Sequence, residues 1–460
     1  MQTFTEWIAW LGGLIWGPWL VVFFVGVGVY YTIGTGFLQI RKFPFIWKQT
    51  FGRAHLKESE IPGEGTLTPR QAVSTALAST IGVGNIVGTT TALAMGGPGA
   101  IFWMWASALF GMCTKYAEIV LSIAFREKKE DGTFTGGPAW YMKRGLKSPI
   151  LATIFSLCVA LGCLGGNMVQ ANSISESIKD IAGISPVAIG IVLLLLVAVV
   201  SLGGIKMLGK ITEVLVPFMA ILYLIGGLIV IIVNFGHVPE AFRSIFSSAF
   251  SSTSAGGGIA GFAVMEAIRY GVARGLYSNE AGQGTAPIAH ATAKTDHPAR
   301  QGLWGVMEVF VSTFGVCTIT ALAVLTTGVM SSDSSPAVLA SLAFGSVFPA
   351  LKYIVTVSLV LFAFSTIIAL SFYGETLFKY VAGEKWGPLY RYSFLPFTFI
   401  GAVGGLQMVW GIIDILIGIG VIPNLIALVL LSPVVFKLTK QFFAEEGQPV
   451  LVRASSPPHD

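Results

Sequence analysis

Long apolar runs recur along almost the whole sequence and limit what the chain can fold into. Eleven runs have about the 20 residues that an α-helix needs to cross a bilayer, whereas the strands of a membrane barrel need only about ten alternating residues. Charged residues make up 11% of the chain, against about 25% in a typical soluble domain. The sequence therefore predicts an all-α integral membrane protein with 11 transmembrane helices.

Two of the predicted spans are interrupted. The second span (residues 68–95) and the seventh (residues 257–293) carry glycines and polar residues where a membrane helix is normally most regular. The other nine cover residues 13–38, 100–125, 149–181, 187–203, 211–235, 303–329, 346–381, 392–409 and 412–436. The two interruptions are the places where the sequence predicts a functional site.

The broken spans also divide the chain into two halves. Spans two to six form one block of five and spans seven to eleven form another, so the blocks have opposite orientations, as in transporters with inverted repeats. We predict an extra N-terminal helix (1–40), a cytoplasmic basic linker (41–67), a first repeat (68–236), a second repeat (237–440) and a disordered cytoplasmic tail (441–460).

The basic residues indicate the orientation in the membrane. With the N-terminus outside, 22 of the 28 Lys and Arg residues fall in cytoplasmic segments, three fall outside and three fall within spans. Cytoplasmic segments of membrane proteins carry such an excess of positive charge. This predicts a multi-pass protein of the cell membrane with its N-terminus outside and its C-terminus in the cytoplasm.

The first break reads Gly82-Val83-Gly84-Asn85. Each glycine in a helix interior costs about 1 kcal/mol relative to alanine. Carbonyls freed by unwinding can bind a cation, and amides at the start of the next half-helix can bind an anion. A packing face of Gly82, Gly84 and Gly88 is the structural alternative. Asn85 favours the functional interpretation, because an amide at mid-membrane needs a partner.

The second break combines short polar side chains with glycines. Ser278 and Asn279 precede Gly282 and Gly284, and we predict that these two polar residues contact the substrate or an ion. Glu280 lies between them and the glycines. Its role stays open between sodium-site electrostatics, proton transfer and structural bracing.

Ionisable residues before this break predict bracing ion pairs. A charge at the bilayer centre costs about 2.5–3.5 kcal/mol on insertion scales, so it should be paired. The sequence allows an Arg274–Glu280 pair or an Arg269–Glu266 pair. For both arginines we favour a structural role over substrate contact.

Two other spans carry candidate polar residues. Asn167 and Gln170 are three residues apart and share a face of the fourth span, where helix–helix bonding and substrate contact are equally open. Ser365 and Thr366 lie in the ninth span, although a hydroxyl in a helix usually bonds its own i−4 carbonyl.

Several classes of function are disfavoured by the sequence. No nucleotide-binding loop is present, the five histidines have no metal-ligand spacing, and the four cysteines lie in apolar runs as small core residues. No nucleophile–base pair is discernible. We therefore expect neither an enzyme nor an ATP-driven pump, and no cofactor, transition metal or nucleic acid.

The segment Gly96-Gly97-Pro98-Gly99-Ala100-Ile101-Phe102-Trp103-Met104-Trp105 resembles the signature of the sodium:alanine symporter family, also called the alanine/glycine:cation symporters. Residues 79–85, 136–140 and 271–287 also fit the family. The resemblance implies the five-plus-five inverted repeat of the leucine-transporter fold, preceded by one extra N-terminal helix. It further implies sodium-coupled uptake of alanine or glycine.

The resemblance also implies roles for residues at the first break. Backbone around Gly82, Val83 and Gly84 should meet the carboxylate of the substrate. Thr80, also a candidate substrate contact, and Asn85 should lie near one sodium ion.

A second sodium ion is implied more distantly, by analogy of fold. It should lie between the backbone of Ala78 and Ile81 and the hydroxyls of Ser365 and Thr366.

These observations predict a secondary transporter that imports a small neutral amino acid by alternating access. The substrate ammonium should meet backbone carbonyls and Ser278, Asn279 or Gln170. The expected partners are alanine or glycine, sodium as the coupling ion and the lipid bilayer, with no obligate protein partner. A proton-coupled symporter on the same fold, a passive channel or facilitator, and a membrane scaffold are the alternatives.

Overall fold

The structure is a computed structural model that describes residues 2–54, 56–250, 257–331, 334–404 and 407–446, and these are mostly α-helical. The helices are α1 (Gln2–Ile15), α2 (Pro18–Gly34), α3 (Leu38–Arg41), α4 (Phe43–Gln49), α5 (Pro69–Thr80), α6 (Thr89–Gly96), α7 (Gly99–Ala124), α8 (Pro138–Arg144), α9 (Pro149–Ala182), α10 (Pro186–Leu202), α11 (Gly204–Val233), α12 (Val238–Phe250), α13 (Gly257–Asn279), α14 (Ala286–His290), α15 (Pro298–Val309), α16 (Thr318–Thr327), α17 (Leu339–Val347), α18 (Leu351–Ala382), α19 (Gly387–Val403), α20 (Gln407–Leu430) and α21 (Ser432–Glu446).

Shorter elements connect these helices. Two π-helical segments, Gly84–Gly88 and Phe310–Cys317, lead into α6 and α16 respectively. The strands β1 (Glu127–Lys128) and β2 (Phe134–Thr135) form an antiparallel hairpin after α7. Single 3₁₀ turns cover Phe51–Arg53, Glu58–Glu60, Phe235–His237, Val329–Ser331, Pro336–Val338 and Glu384–Trp386.

Seven helical segments of the described chain are long and apolar enough to cross a membrane: Glu6–Gly34, Gly99–Ala124, Pro149–Ala182, Gly204–Val233, Pro298–Thr327, Leu351–Ala382 and Gly411–Leu430. The pair Pro69–Thr80 and Gly84–Gly96 forms an eighth candidate, bent by 52° at its break. Predicted spans five, seven and ten correspond to α10, α13 with α14, and α19, which are shorter or interrupted. The chain is thus a multi-pass membrane protein, and the number of 11 spans stays a prediction.

The C-terminal helix is longer than the sequence suggests. Helix α21 continues to Glu446, so residues 441–446 of the predicted disordered tail are helical. Residues 447–460 lie outside the described residues.

Local sequence signals fix where the first broken helix begins. Thr68 caps α5, because its hydroxyl accepts from the Gln71 amide while the Gln71 side chain accepts from the Thr68 amide, both at 3.2 Å. Pro69 occupies the first helical position, where a missing N–H costs nothing. The helix therefore starts at a defined point and ends only at the glycine-containing break.

The two broken helices lie side by side in the interior. Helix α5 contacts α14, and α6 contacts α13, so the first half of each lies beside the second half of the other. The two broken helices therefore run antiparallel, with their breaks adjacent. Helix α7 packs against α13 and α15, and α9 packs against α18, α19 and α20.

Large apolar side chains are exposed on the outer helices. Val22, Val214 and Phe235 have exposed fractions of 69%, 71% and 70%. On α7, by contrast, even Lys115 and Glu118 are fully buried. The outer surface therefore suits contact with lipid, while polar groups are concentrated in the interior.

Candidate functional site

The first break is held by the side chain of Asn85. Its Oδ1 accepts from the amide of Gly82 at 2.9 Å, and its own backbone amide donates to the Gly82 carbonyl at 3.1 Å. A Cβ at Gly84 would lie 3.0 Å from the ring of Tyr277, whereas a Cβ at Gly88 would meet no described atom within 4 Å. Close approach is thus confined to the break, and Gly84 and Gly88 do not form one packing face in the described residues.

The second break is a run of left-handed backbone. Helix α13 ends at Asn279, whose Oδ1 accepts from the amide of Ala281 at 3.0 Å. Glu280, Gly282 and Gly284 have φ angles of 54°, 85° and 81° before α14 begins. Left-handed φ is easily adopted by glycine and is costly for other residues. Glu280 is therefore held in a strained conformation by its surroundings.

Glu280 joins the two breaks. Its Oε2 accepts from the hydroxyl of Ser79 on α5 at 3.1 Å and from the hydroxyl of Thr285 at 2.7 Å. The carboxyl group is partly buried and lines the space between the broken helices. These contacts are compatible with a brace between the two broken helices, and all three roles of Glu280 (sodium-site electrostatics, proton transfer and bracing) stay predictions.

Of the two predicted ion pairs, one forms and the other does not. Arg269 lies 3.5 Å from Glu266, as the second alternative requires. Within the described part of the chain, Arg274 forms no ion pair with Glu280. Arg274 instead lines an outer cavity together with Asp414, whereas Glu280 lines the central one.

A cavity of about 80 Å³ lies between the two breaks. That volume has room for several water molecules or one small zwitterion. Glycines of α9 and the side chains of Val159, Leu370 and Ile417 form much of its apolar wall. Seven of the predicted site residues line it: Thr80, Gly82, Gly84, Asn85, Gln170, Glu280 and Thr366.

Gln170 offers an unused acceptor to this cavity. Its Oε1 is buried and has no hydrogen-bond partner among the described residues. A buried acceptor without a partner costs about 1–3 kcal/mol. A ligand with a donor group, such as an ammonium, would relieve that cost.

Behind the cavity, Asn85 reaches the second broken helix and its neighbour. The Asn85 amide donates to the hydroxyls of Ser278 at 2.8 Å and Ser312 at 2.7 Å, and Ser278 Oγ lies 3.0 Å from Cys317 Sγ. Ser278 thus contacts Asn85 rather than the cavity wall. Ser312 was not predicted, since a serine in a π-helical segment has no local sequence signal.

The residues predicted for a second sodium ion converge as well. The hydroxyls of Ser365 and Thr366 lie 3.0 and 3.1 Å from the Ala78 carbonyl oxygen and both lie 2.9 Å from that of Phe362, so each shares its one hydrogen between two acceptors. Ile81 is fully buried at the same end of α5. Three oxygen atoms of the predicted set therefore lie together, and oxygen atoms are the ligands that hard cations prefer.

Two predicted substrate contacts point elsewhere. Asn167 donates to the Phe394 carbonyl at 2.9 Å and accepts from the Thr398 hydroxyl at 3.0 Å, so it bonds α9 to α19. The Asn279 amide donates to the Thr313 hydroxyl at 3.3 Å. Neither side chain lines the central cavity.

A larger outer cavity of about 530 Å³ adjoins the central one. Val83, Arg274 and Asp414 are among the residues that line it. The two cavities share three lining residues: Gly84, Gln170 and Tyr277. A ligand entering from the outer cavity would therefore pass the Tyr277 ring to reach the central cavity.

A group of fully buried polar residues behind the second break was missed. It comprises Lys115, Glu118, His290, Glu308 and Asn424. The available signal was the placement of Lys115 and Glu118 one helical turn apart within an apolar span. Their partners are distant in sequence, so no local pattern identifies them.

The chain is similar over nearly its whole length to known amino-acid transporters. A sequence model of the sodium:alanine symporter family matches residues 1–451. The sodium/alanine symporter AgcS of Methanococcus maripaludis is 44% identical over 441 residues, 94% of this chain and 96% of the relative. The putative sodium/proton-dependent alanine carrier protein YrbD of Bacillus subtilis is 35% identical over 470 residues, 96% and 93% of the two chains.

Solved structures of other transporters share the fold. MhsT in complex with L-phenylalanine aligns with a TM-score of 0.58 at 12% identity, covering 80% of this chain and 90% of that one. A Na⁺-coupled sialic acid symporter aligns with a TM-score of 0.52 at 12% identity, covering 91% and 98%. At such identities the likeness concerns the leucine-transporter-like fold alone.

Proposed function

Because the chain belongs to the sodium:alanine symporter family, we propose that it imports alanine or glycine across the cell membrane together with sodium, by alternating access. The proposal includes eleven spans arranged as one extra N-terminal helix (residues 1–40) and two inverted repeats (residues 68–236 and 237–440). A basic linker (residues 41–67), the C-terminus and a tail are cytoplasmic. The chain is a transporter, and its family gives no support to an enzymatic activity.

The cavity of about 80 Å³ between the two breaks is the observation that carries this proposal. It is buried, it is small, and polar groups converge on it from both broken helices and α9. A small zwitterion needs one region that favours its carboxylate and another that favours its ammonium. Its side chain would lie against the apolar wall that includes Leu370 and Ile417, and a cavity of about 80 Å³ favours a small side chain.

The two charged groups of the substrate have different partners in this proposal. The carboxylate meets the backbone of Gly82, Val83 and Gly84, at the positive end of the half-helix that continues into α6. The ammonium meets backbone carbonyls and the free Oε1 of Gln170. Ser278 and Asn279 act indirectly, by holding Asn85 and the second break in place.

Two sodium positions complete the proposed site. One lies near Asn85 and Thr80. The other lies between the backbone of Ala78 and Ile81 and the hydroxyls of Ser365 and Thr366, and these four residues are called the second proposed sodium set. Each sodium ion that moves inward gains about 2.3 kcal/mol per 100 mV of membrane potential, roughly a fiftyfold accumulation of substrate.

Uptake of radiolabelled alanine into proteoliposomes tests the proposal. Sodium, lithium and proton gradients are imposed separately, with choline as the replacement cation and a panel of amino acids as competitors. We expect uptake to collapse in choline and to be inhibited best by alanine and glycine. Uptake that persists on a proton gradient alone would contradict sodium coupling.

A proton-coupled symporter is the second candidate, and the position of Glu280 favours it. This carboxyl group is partly buried, lines the central cavity and contacts both broken helices, as a proton carrier would. Under this alternative, Glu280→Gln abolishes uptake driven by a proton gradient. Under sodium coupling, the same substitution changes the sodium concentration for half-maximal uptake.

A further inference from the structure

The second break is contacted by a lysine and a glutamate from one turn of α7. Lys115 Nζ donates to the carbonyl of Asn279, the last residue of α13, at 3.0 Å. Glu118 Oε2 accepts from the amide of Gly282 at 3.1 Å, and Glu118 Oε1 accepts from the Asn424 amide at 2.7 Å. The cationic side chain thus meets a carbonyl of the break and the anionic side chain meets an amide.

Lys115 also faces a buried carboxylate. Its Nζ lies 3.6 Å from Glu308 Oε2, an atom that has no hydrogen-bond partner among the described residues. The other oxygen, Oε1, lies 2.6 Å from His290 Nε2, and Gln301 Nε2 lies 2.8 Å from His290 Nδ1. His290 thus contacts one carboxylate oxygen of Glu308 and leaves the other to Lys115. The ammonium of Lys115 therefore balances the charge of Glu308.

The Asn279 carbonyl and the Glu308 carboxylate, which contact Lys115, are groups that also bind free cations. The carbonyl at the end of α13 is at the negative end of a helix dipole, and carbonyls at helix breaks of this kind bind Na⁺ in transporters. A carboxylate oxygen 3.6 Å away supplies the countercharge. At the first break the corresponding oxygens, Ala78 O and its two hydroxyl partners, have no protein cation bonded to them in the described residues.

We propose that Lys115 is a resident cation of the second break, doing there what a transported sodium ion does at the first. The proposal rests on the sodium coupling proposed above. Lys115 is a positioning residue, because it fixes Asn279 and thereby the next residue, Glu280, which lines the cavity. A tethered cation is never released, so the second break keeps one shape throughout the cycle and adds no sodium ion to the stoichiometry.

Two substitutions of Lys115 separate this role from a simple ion pair. Lys115→Ala removes the charge and leaves space for a sodium ion beside Glu308, whereas Lys115→Met removes the charge and fills the space. We expect both to reduce uptake at least about tenfold at low sodium, equivalent to one lost charged contact. Rising sodium should restore Lys115→Ala but not Lys115→Met, with a Hill coefficient for sodium one unit above the parent value.

The melting temperature of the purified chain gives a readout that does not depend on transport. Sodium should raise the melting temperature of Lys115→Ala more than that of the parent chain or of Lys115→Met. Lys379→Ala is the matched control, because Lys379 also pairs with a carboxylate, that of Glu375 at 2.7 Å, and Arg391 holds the same carboxylate. The control should show the sodium dependence of the parent.

The double variant Lys115→Met with Glu308→Gln removes both charges and tests a purely structural pair. A resident cation predicts that this variant recovers the parent melting temperature while its uptake stays below about a tenth of the parent value. Recovery of both properties would overturn the proposal, as would a Lys115→Ala chain that fails to fold in high sodium. Parent uptake that needs no sodium would instead overturn the proposed function, whatever the melting temperatures show.

Discussion

The two interrupted helices look alike in sequence but satisfy their freed backbone groups in different ways. At the first break, the central cavity is lined by Gly82 and Gly84, and Gln170 contributes an acceptor without a partner. At the second break, Lys115 and Glu118 occupy the carbonyl of Asn279 and the amide of Gly282. In the proposed mechanism the first break, although Asn85 bonds its Gly82 amide, receives ligands that bind and leave, whereas the second is completed by Lys115 and Glu118.

This difference indicates which part of the site can change during transport. Unwound backbone in a membrane protein must be satisfied by something, and only a group from outside the protein can leave again. Ligand-dependent changes should therefore concentrate at the first break. The second break should keep the same conformation whether or not ligands are bound. Substitutions at the two breaks should therefore have different effects.

Removal of both hydroxyls of the second proposed sodium set should have the largest effect. The double variant Ser365→Ala with Thr366→Val loses two of the three oxygens gathered at Ala78. We expect the sodium concentration for half-maximal uptake to rise on the order of 100-fold, with little change in the saturating rate. Ser371→Ala on the same helix, whose hydroxyl bonds Ser201 instead, is the control. An unchanged sodium dependence would show that the hydroxyls of Ser365 and Thr366 do not bind sodium.

Substitutions of Gln170 and Asn167, two of the amide side chains of α9, should give the next largest difference. Gln170→Leu removes the free acceptor in the cavity, and we expect the apparent KM for alanine to rise about 10- to 100-fold, the value of one hydrogen bond to a charged group. Asn167→Leu, three residues away, should keep the parent KM and lower the melting temperature, because it loses bonds to Phe394 and Thr398. Equal changes in KM would show that substrate binding does not distinguish the two side chains.

Replacing a glycine by alanine should lower the stability of the chain more at the second break than at the first. Gly282→Ala places a Cβ at a φ of 85° and 2.7 Å from the Phe24 ring, so we expect about 1–3 kcal/mol of destabilisation in denaturant titrations. Gly84→Ala meets only the edge of Tyr277 at 3.0 Å and should reduce uptake more than stability. A Gly282→Ala chain as stable as the parent would show that the second break is adaptable.

A surface pair far from both breaks should show the smallest effect. Lys128 lies 2.9 Å from Glu64, and this hydrogen bond and charge hold the pKa of Glu64 below its ordinary value. A lowered carboxyl pKa contributes stability above the unfolded pKa, which is lost as the pH falls through the folded pKa. Because both side chains are exposed, Lys128→Gln should leave uptake and melting temperature unchanged at neutral pH. A clear loss of uptake would extend the transport machinery to this hairpin.

Much of the architecture could be predicted from the sequence because membrane helices leave a local signal. The length of the apolar runs, the glycines at Gly82 and Gly282 and the polar groups beside them determined the class of protein and the position of both breaks. The signature at residues 96–105 indicated the family. These properties depend on neighbouring residues and on the bilayer, not on contacts across the fold.

Only the tertiary structure decided what each polar group does. Helical spacing puts Asn167 and Gln170 on one face of α9. The structure shows that Asn167 bonds to α19, whereas Gln170 lines the central cavity. Lys115 and Glu308 are meaningful only as a pair, because their contact joins residues almost two hundred positions apart. A buried charge is defined by its partner, and the sequence of one helix contains no information about which distant helix supplies that partner.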